Sequence, residues 1–118
     1  MILADNPTPI DSLSGRLYST NDLASLPWAM EASRATTAPL FIGEFGVAGP
    51  LNRESIDRFR TWLNALDVHQ VPLAALWVYD FDGQSADWNV TFDNERAPLL
   101  RLIAEQNSVW GKTRNNTR

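Results

Sequence analysis

The sequence predicts an α/β fold in which helices cover a parallel sheet. Two short apolar segments, 40–45 and 73–79, have the continuous hydrophobicity of strands that are buried in a parallel sheet. Apolar residues recur at helical spacing between them, which predicts an amphipathic helix. A strand, a helix and a second strand in this order form a right-handed βαβ unit almost by default. The 118 residues are enough for one domain.

The composition argues against several classes of protein. A net charge of −4 gives no basic surface for nucleic acid. The absence of cysteine excludes a disulfide framework and a thiolate site, and the single histidine, His69, argues against a histidine-based zinc site or a Ser-His-Asp triad. No run approaches the ~18 apolar residues that span a membrane. We therefore expect no nucleic-acid partner, no membrane partner, no metal and no cofactor.

The first twenty residues carry the weakest pattern. Residues 12–15 have the composition of a loop, and residues 1–3 would fit the end of a strand. Three polar residues are candidate N-caps for the helix that follows: Thr20, Asn21 and Ser25. Its predicted body is 26–34, which places Pro27 in the first turn, where proline is tolerated.

One carboxylate, Glu44, interrupts the apolar segment 40–45, and Gly46 then ends the strand. Strict alternation would place Glu44 on the same side of the strand as Leu40 and Ile42. A charge near the end of a buried strand is costly unless it is paired or used, and α/β proteins place their chemistry at these strand ends. Taken alone, Glu44 fits a strand-end carboxylate that is paired with an arginine slightly better than it fits a catalytic group.

Two further helices are predicted from capping and periodicity. Asn52 is a good N-cap. The apolar side chains after it recur at helical spacing: Ile56, Phe59, Leu63 and Leu66. Asn94 is predicted to cap a last helix, which has Arg96 in its first turn and ends at Asn107. Residues 108–118 then form a polar tail.

The second apolar segment places aromatic and polar side chains at the same edge of the sheet. Trp77 stands near the end of 73–79, in a place that matches that of Glu44. An indole can cover the apolar face of a pyranose, and a nearby carboxylate can attack or stabilise its anomeric carbon. Other side chains at this strand end and in the following loop could contact sugar hydroxyls: Tyr79, Asp80, Asp82, Gln84, Trp88 and Asn89. Asp80 and Asp82 also fit an ordinary turn.

Two motifs, in this order, resemble the end of a glycoside hydrolase family 5 catalytic domain: Pro-Leu-Phe-Ile-Gly-Glu-Phe-Gly at 39–46 and Ala-Leu-Trp-Val-Tyr at 75–79. Members of this cellulase-like family, in clan A, are (β/α)8 barrels. Residues 81–84 and 88–91 are similar to the loop after the eighth barrel strand. The similarity covers about residues 20–107.

The resemblance implies a C-terminal fragment of a (β/α)8 TIM barrel, with strands seven and eight and their flanking helices. Residues 1–20 would be an irregular segment with a remnant of strand six, 21–107 the last β/α units, and 108–118 the tail. Glu44 would be the catalytic nucleophile at the end of strand seven, and Trp77 the platform under the sugar. The implied activity is retaining hydrolysis of O-glycosidic bonds in a β-linked polysaccharide or oligosaccharide.

The chain departs from the family in one large respect. A retaining glycosidase needs a second carboxylate about 5 Å from the first, which in this family follows an asparagine at the end of strand four. No such pair precedes Glu44, and a whole barrel takes about 250 residues. We therefore expect the isolated chain to be inactive. Its expected partner is the missing N-terminal part of the barrel, or a second copy that pairs with exposed sheet edges.

The remaining implications are open. Tyr18 is the candidate for the aromatic residue that the family carries on strand six. Two alternatives to a glycosidase fragment are a non-catalytic carbohydrate-binding remnant and a small self-associating α/β fragment. Members of the family are often secreted, but the sequence itself does not identify a compartment.

Overall fold

The computed structural model describes residues 11–84 and 86–116. Strands and helices alternate along it: β1 (Leu13–Leu17), α1 (Thr20–Thr36), β2 (Leu40–Phe45), α2 (Arg53–Val68), β3 (Leu73–Leu76) and α3 (Pro98–Asn116). The three strands form a parallel sheet in the order β1-β2-β3. The predicted α/β fold with a parallel sheet is confirmed. The strand end predicted at residues 1–3 lies outside the described residues.

The core lies on one face of the sheet. The fully buried strand residues include Leu13, Leu17, Leu40, Ile42 and Phe45. Phe45 stacks on Phe59 of α2 with ring centroids 5.5 Å apart. On the opposite face, the side chains of Ser14 and Arg16 are exposed and that of Phe41 is half-buried. The helices described here therefore cover one side of the sheet and leave the other open.

The alternation predicted for β2 is wrong at its C-terminal end. The pairing of β2 with β3 is irregular between Ile42 and Phe45, and both residues are buried in the core although they are three positions apart. Glu44 is half-buried and does not share the buried environment of Ile42. An irregularity of this kind re-aims a side chain at the end of a strand.

The loop predicted at residues 12–15 is also wrong, because this stretch belongs to β1. Leu13 pairs with Leu40 and Leu17 pairs with Phe45, in parallel register. The sequence of β1 contains only two buried apolar residues, which is too weak a pattern to indicate a strand. Its conformation is stabilised by pairing with β2, which is a contact distant in sequence.

The helix α1 begins earlier than predicted, because its N-cap is Ser19 instead of Thr20, Asn21 or Ser25. Ser19 and Asp22 form a capping box, in which each side chain accepts a hydrogen bond from the backbone N–H of the other. With this start, Pro27 lies inside the helix and not in its first turn.

We expect Asp22→Ala to destabilise the chain by about 1 kcal/mol at neutral pH, since the substitution removes half of the capping box. Partial burial raises the pKa of Asp22, but hydrogen bonds from the N–H groups of Tyr18 and Ser19 outweigh it and lower the pKa below its ordinary 3.8. The stabilisation is therefore present above that value and is lost as the pH falls through the lowered pKa. Urea denaturation at neutral and acidic pH tests this expectation. Glu31→Ala, at an exposed position in α1, is the control; equal effects of both substitutions would contradict the assignment.

The third strand is shorter and more exposed than predicted. It ends at Leu76 and not at residue 79, and Tyr79 forms an isolated bridge with Val90. Leu73 is 61% exposed, because β3 is an edge strand that pairs only with β2 in the described sheet.

Both ends predicted for the last helix are wrong. The helix begins at Pro98, and the Asn94 side chain instead accepts a hydrogen bond from the N–H of Arg96 in a preceding turn, at 3.0 Å. The helix continues past Asn107 to Asn116, because the indole N–H of Trp110 donates to the carboxylate of Asp67 on α2 and ties the two helices together. Within residues 11–84 and 86–116, no helix is long and apolar enough to cross a membrane.

Candidate active site

Glu44 and Tyr18 meet at the C-terminal edge of the sheet. Tyr18 follows β1 directly, Glu44 is near the end of β2, and these two strands are parallel neighbours. The Tyr18 hydroxyl donates a hydrogen bond to Oε2 of Glu44 at 3.0 Å. Partial burial, followed by this hydrogen bond and the negative charge of Glu44, raises the pKa of Tyr18 well above its usual 10. Tyr18 is therefore a neutral donor that fixes the orientation of the carboxylate.

A shallow polar depression opens beside Glu44 on the uncovered face of the sheet. Its volume is about 400 Å³. Five residues of β1 and β2 line it: Ser14, Gly15, Arg16, Gly43 and Glu44. Arg16 lies opposite Glu44 in the strand register, and its side chain is exposed. The hydrogen bond to the Glu44 carboxylate comes from Tyr18 and not from this arginine. The carboxylate is thus next to a space that a hydroxylated ligand can enter.

The backbone of Trp77 and the ring of Trp88 pack against the chain immediately after Glu44. The Tyr18 ring contacts Trp88 edge to face, with centroids 5.2 Å apart. The backbone N–H of Trp77 donates to the carbonyl of Phe45 at 2.8 Å. A Cβ atom on Gly46 would lie 2.6 Å from the carbonyl oxygen of Trp77 and 3.5 Å from the ring of Trp88. Only glycine permits this close approach, so Gly46 sets the position of the Trp77 backbone and the Trp88 ring relative to β2.

The other predicted sugar-contacting residues lie on the segment after β3. The backbone N–H groups of Asp80 and Phe81 donate to the carbonyl of Val90 and to the side chain of Asn89, both at 2.9 Å. Tyr79, Asp80 and Asp82 are exposed, whereas Gln84 and Asn89 are half-buried. In the described part of the chain, no hydrogen bond joins any of these side chains to Glu44. The structure thus gathers Tyr18, Glu44, Trp77 and Trp88, and sugar binding by the loop stays a prediction.

Arg96 is a structural residue of this region that the sequence pattern did not indicate. It is 4% exposed, and its guanidinium donates to the carbonyls of Val47 and Gly49. The N–H of Gly49 donates to the carbonyl of Asp87 at 2.9 Å. These hydrogen bonds therefore connect the loop after Glu44 to the segment that carries Trp88. An arginine in a polar stretch gives no local signal of burial, because its partners are more than forty residues away.

We expect Tyr18→Phe to cost about 1 kcal/mol of stability, since it removes a hydrogen bond to a charged group. The raised pKa means that this stabilisation is present below pH 10 and is lost as the pH rises through the pKa of the folded protein. The ultraviolet absorbance of tyrosinate should therefore show one of the two tyrosines ionising late. The late component should be missing in Tyr18→Phe and present in Tyr79→Phe. Loss of that component in Tyr79→Phe instead would contradict the contact.

Helices alternate with parallel strands along the chain, and a carboxylate lies at the strand ends, which is an arrangement of the α/β class of fold. No family model and no curated protein matches the sequence.

Solved structures that match the fold of this chain include two of mannanases. One is the X-ray structure of the endo-beta-1,4-mannanase from Thermotoga petrophila, with a TM-score of 0.60 and 15% identity over 81% of this chain and 26% of that one. The other is the hyperthermostable endo-1,4-beta-D-mannanase from Thermotoga petrophila RKU-1 with maltose and glycerol, with a TM-score of 0.58 and 15% identity over 81% of this chain and 34% of that one. The chain spans about a quarter to a third of these proteins. Its fold therefore matches a fragment of a TIM-barrel enzyme.

Proposed function

We propose that this chain is the C-terminal part of a retaining glycoside hydrolase of family 5 type, with Glu44 as the nucleophile. The observation that carries the proposal is the hydrogen bond from Tyr18 to Glu44 at the C-terminal edge of a parallel sheet. This edge is where barrel enzymes place their catalytic groups. The similarity of the fold to mannanases supports the same class of enzyme.

The geometry suits nucleophilic attack by a carboxylate. The Tyr18 hydroxyl donates a hydrogen bond to Oε2 of Glu44, so Oε1 is the oxygen that attacks the anomeric carbon of the sugar. The glycosidic bond breaks as its oxygen takes a proton from a general acid, and a glycosyl ester of Glu44 forms. Water, deprotonated by the same second group, then hydrolyses the ester and restores the carboxylate. Retention of the anomeric configuration follows from the two displacements.

The second carboxylate has to come from outside the described site. Asp22 is the acidic residue that accepts a hydrogen bond from the Tyr18 backbone within residues 11–84 and 86–116. Its carboxylate already caps α1, so it is not a candidate for the general acid. Further barrel strands would pair with the edge strands β1 and β3, and the open face of the sheet would then line the barrel interior. We therefore propose that the 118 residues alone do not hydrolyse their substrate.

The substrate class is a β-linked polysaccharide or oligosaccharide of the mannan or glucan type. Trp77 is proposed to lie under the sugar at the cleavage site, because its strand end adjoins that of Glu44. Hydroxyl groups along the bound polysaccharide would be contacted by side chains of the following segment: Tyr79, Asp80, Asp82, Gln84, Trp88 and Asn89. Neither a metal nor a cofactor has a place in this reaction.

The proposal is tested by comparing two products. One is the 118-residue chain, and the other is the polypeptide that begins at the start of its reading frame upstream. We expect the longer product to contain a strand followed by Asn-Glu and to release reducing sugar from β-mannan or β-glucan, whereas the short chain releases none. Hydrolysis by the short chain, or its absence in the longer product, would contradict the proposal.

The exposed β3 edge favours one alternative, a non-catalytic fragment that self-associates. Leu73 is 61% exposed on this edge, which is available to pair with a second copy. Sedimentation of the 118-residue chain with and without mannohexaose distinguishes the two. A stable dimer whose sedimentation does not change when mannohexaose is added supports the self-associating fragment. A monomer that binds mannohexaose contradicts it.

A further inference from the structure

Two aromatic side chains are exposed together on the segment after β3. Tyr79 is 46% exposed and Phe92 is 78% exposed, and their rings contact each other edge to face with centroids 5.7 Å apart. The sequence pattern did not indicate Phe92 as a sugar-binding residue. A single exposed apolar residue is ordinary, but two exposed aromatic rings in contact form a patch of the kind that marks a binding surface.

Backbone hydrogen bonds fix the two chain segments that carry Tyr79 and Phe92 relative to each other. The N–H of Val90 donates to the carbonyl of Val78 at 2.8 Å, and that of Asp80 donates to the carbonyl of Val90 at 2.9 Å. Val90, which lies between these bonds, is fully buried. The two rings are therefore pre-positioned, so that binding a ligand there requires little ordering of the chain.

This patch is distinct from the cluster around Glu44. Trp77 and Trp88 are half-buried and contact the chain next to Glu44, whereas Tyr79 and Phe92 face solvent. Tyr79 is two residues beyond Trp77 on the segment that follows β3. Because both places lie on this one segment, a single polysaccharide chain can contact both.

We propose that Tyr79 and Phe92 form a second sugar-binding subsite, which holds a pyranose unit of a β-linked polysaccharide away from the bond that is cleaved. The inference rests on the proposed function and adds a residue and a subsite to it. Much of the surface of the Phe92 ring is free to cover the apolar face of a sugar. The exposed carboxylates of Asp80 and Asp93 lie beside the two aromatic residues in sequence and can accept hydrogen bonds from sugar hydroxyls.

The polar surroundings favour a sugar over an apolar partner. A peptide or a second copy that buried Phe92 would also desolvate the neighbouring exposed carboxylates of Asp80 and Asp93, of which Asp93 accepts a hydrogen bond from Thr91 at 2.6 Å. Burying these charges is costly unless the partner supplies a cation or further hydrogen-bond donors. A polysaccharide supplies hydroxyl donors for these groups and a flat apolar face for the rings.

The test is the binding of the 118-residue chain to mannohexaose and cellohexaose, measured by calorimetry. We expect Phe92→Ala and Tyr79→Ala each to weaken binding of the hexasaccharide about tenfold, the equivalent of ~1.4 kcal/mol. Val109→Ala, at a position 52% exposed on α3, is the matched control and should change the affinity less than twofold by the same scale. Unchanged affinity in Phe92→Ala, or no binding by the unsubstituted chain, overturns the proposal.

Two further readouts separate this subsite from the proposed chemistry. Glu31→Gln, at an exposed position in α1, should bind the hexasaccharide as the unsubstituted chain does, because α1 is not part of the subsite. In the longer product, Phe92→Ala should raise KM for the polymer and leave kcat on a short aryl glycoside unchanged. If hydrolysis depends on Glu44 but KM for the polymer is unaffected by Phe92→Ala, the subsite is wrong and the glycosidase function stands. If Phe92→Ala instead abolishes a dimer of the chain, the patch binds a second copy and the subsite is also wrong.

Discussion

Glu44→Gln in the longer polypeptide is expected to lower kcat by about a thousandfold or more, the size of loss that follows removal of a nucleophile. The amide has almost the shape of the carboxylate, and its oxygen can still accept the hydrogen bond that Tyr18 now donates to Oε2. It lacks the negative charge that attacks the anomeric carbon. Initial rates on soluble β-mannan and β-glucan measure the effect.

Glu31→Gln is the matched control for this substitution. Glu31 is exposed in the middle of α1, so the same chemical change there should leave kcat unaltered. The urea midpoint of Glu44→Gln should stay close to that of the unsubstituted protein, which shows that the loss of rate is not a loss of fold. Normal turnover by Glu44→Gln would exclude a nucleophilic role.

Gly46→Ala is expected to destabilise the fold by about 1–3 kcal/mol, the range for forcing an extra methyl group into a packed region. The new Cβ would lie 2.6 Å from the carbonyl oxygen of Trp77. That oxygen belongs to the backbone, so the strand ends must separate, and the 2.8 Å hydrogen bond from Trp77 to Phe45 is strained. Urea denaturation measures the stability, and near-ultraviolet circular dichroism reports the tryptophans.

Gly111→Ala is the control, because it makes the same change where the structure has room. A Cβ on Gly111 has no atom within 4 Å, and the residue lies inside α3. Alanine is the better helix former by about 1 kcal/mol, so this variant should be more stable than the parent. The two glycine substitutions should therefore act with opposite signs. A neutral effect of Gly46→Ala would contradict the close packing of Trp77 on the end of β2.

Local patterns predicted the parts of the fold that are continuous in sequence. The strand around Leu40 and the helix after Asn52 follow from an apolar run and from capping with helical periodicity. β1 could not be predicted, because Ser14, Gly15 and Arg16 fit a strand only when β2 pairs with them. The extent of α3 likewise depends on the distant contact between Trp110 and Asp67.

The same distinction holds for the candidate site. Glu44 could be singled out because a carboxylate at the end of an apolar strand is conspicuous in a sequence. Its contact with Tyr18 depends on β1 lying parallel to β2, and the burial of Arg96 depends on carbonyls of Val47 and Gly49. The pairing of Phe92 with Tyr79 depends on the bridge between Tyr79 and Val90. These contacts are set by topology, which residue periodicity does not encode.

The central claim, that Glu44 forms a covalent bond with the sugar, is tested most directly by trapping that bond. A 2-deoxy-2-fluoro glycoside with a good leaving group forms the glycosyl ester faster than water removes it. After incubation with the longer polypeptide and digestion, mass spectrometry should find the added sugar on the peptide that contains Glu44. A sugar on another carboxylate, or an active enzyme that inverts the anomeric configuration and never becomes labelled, would contradict the account.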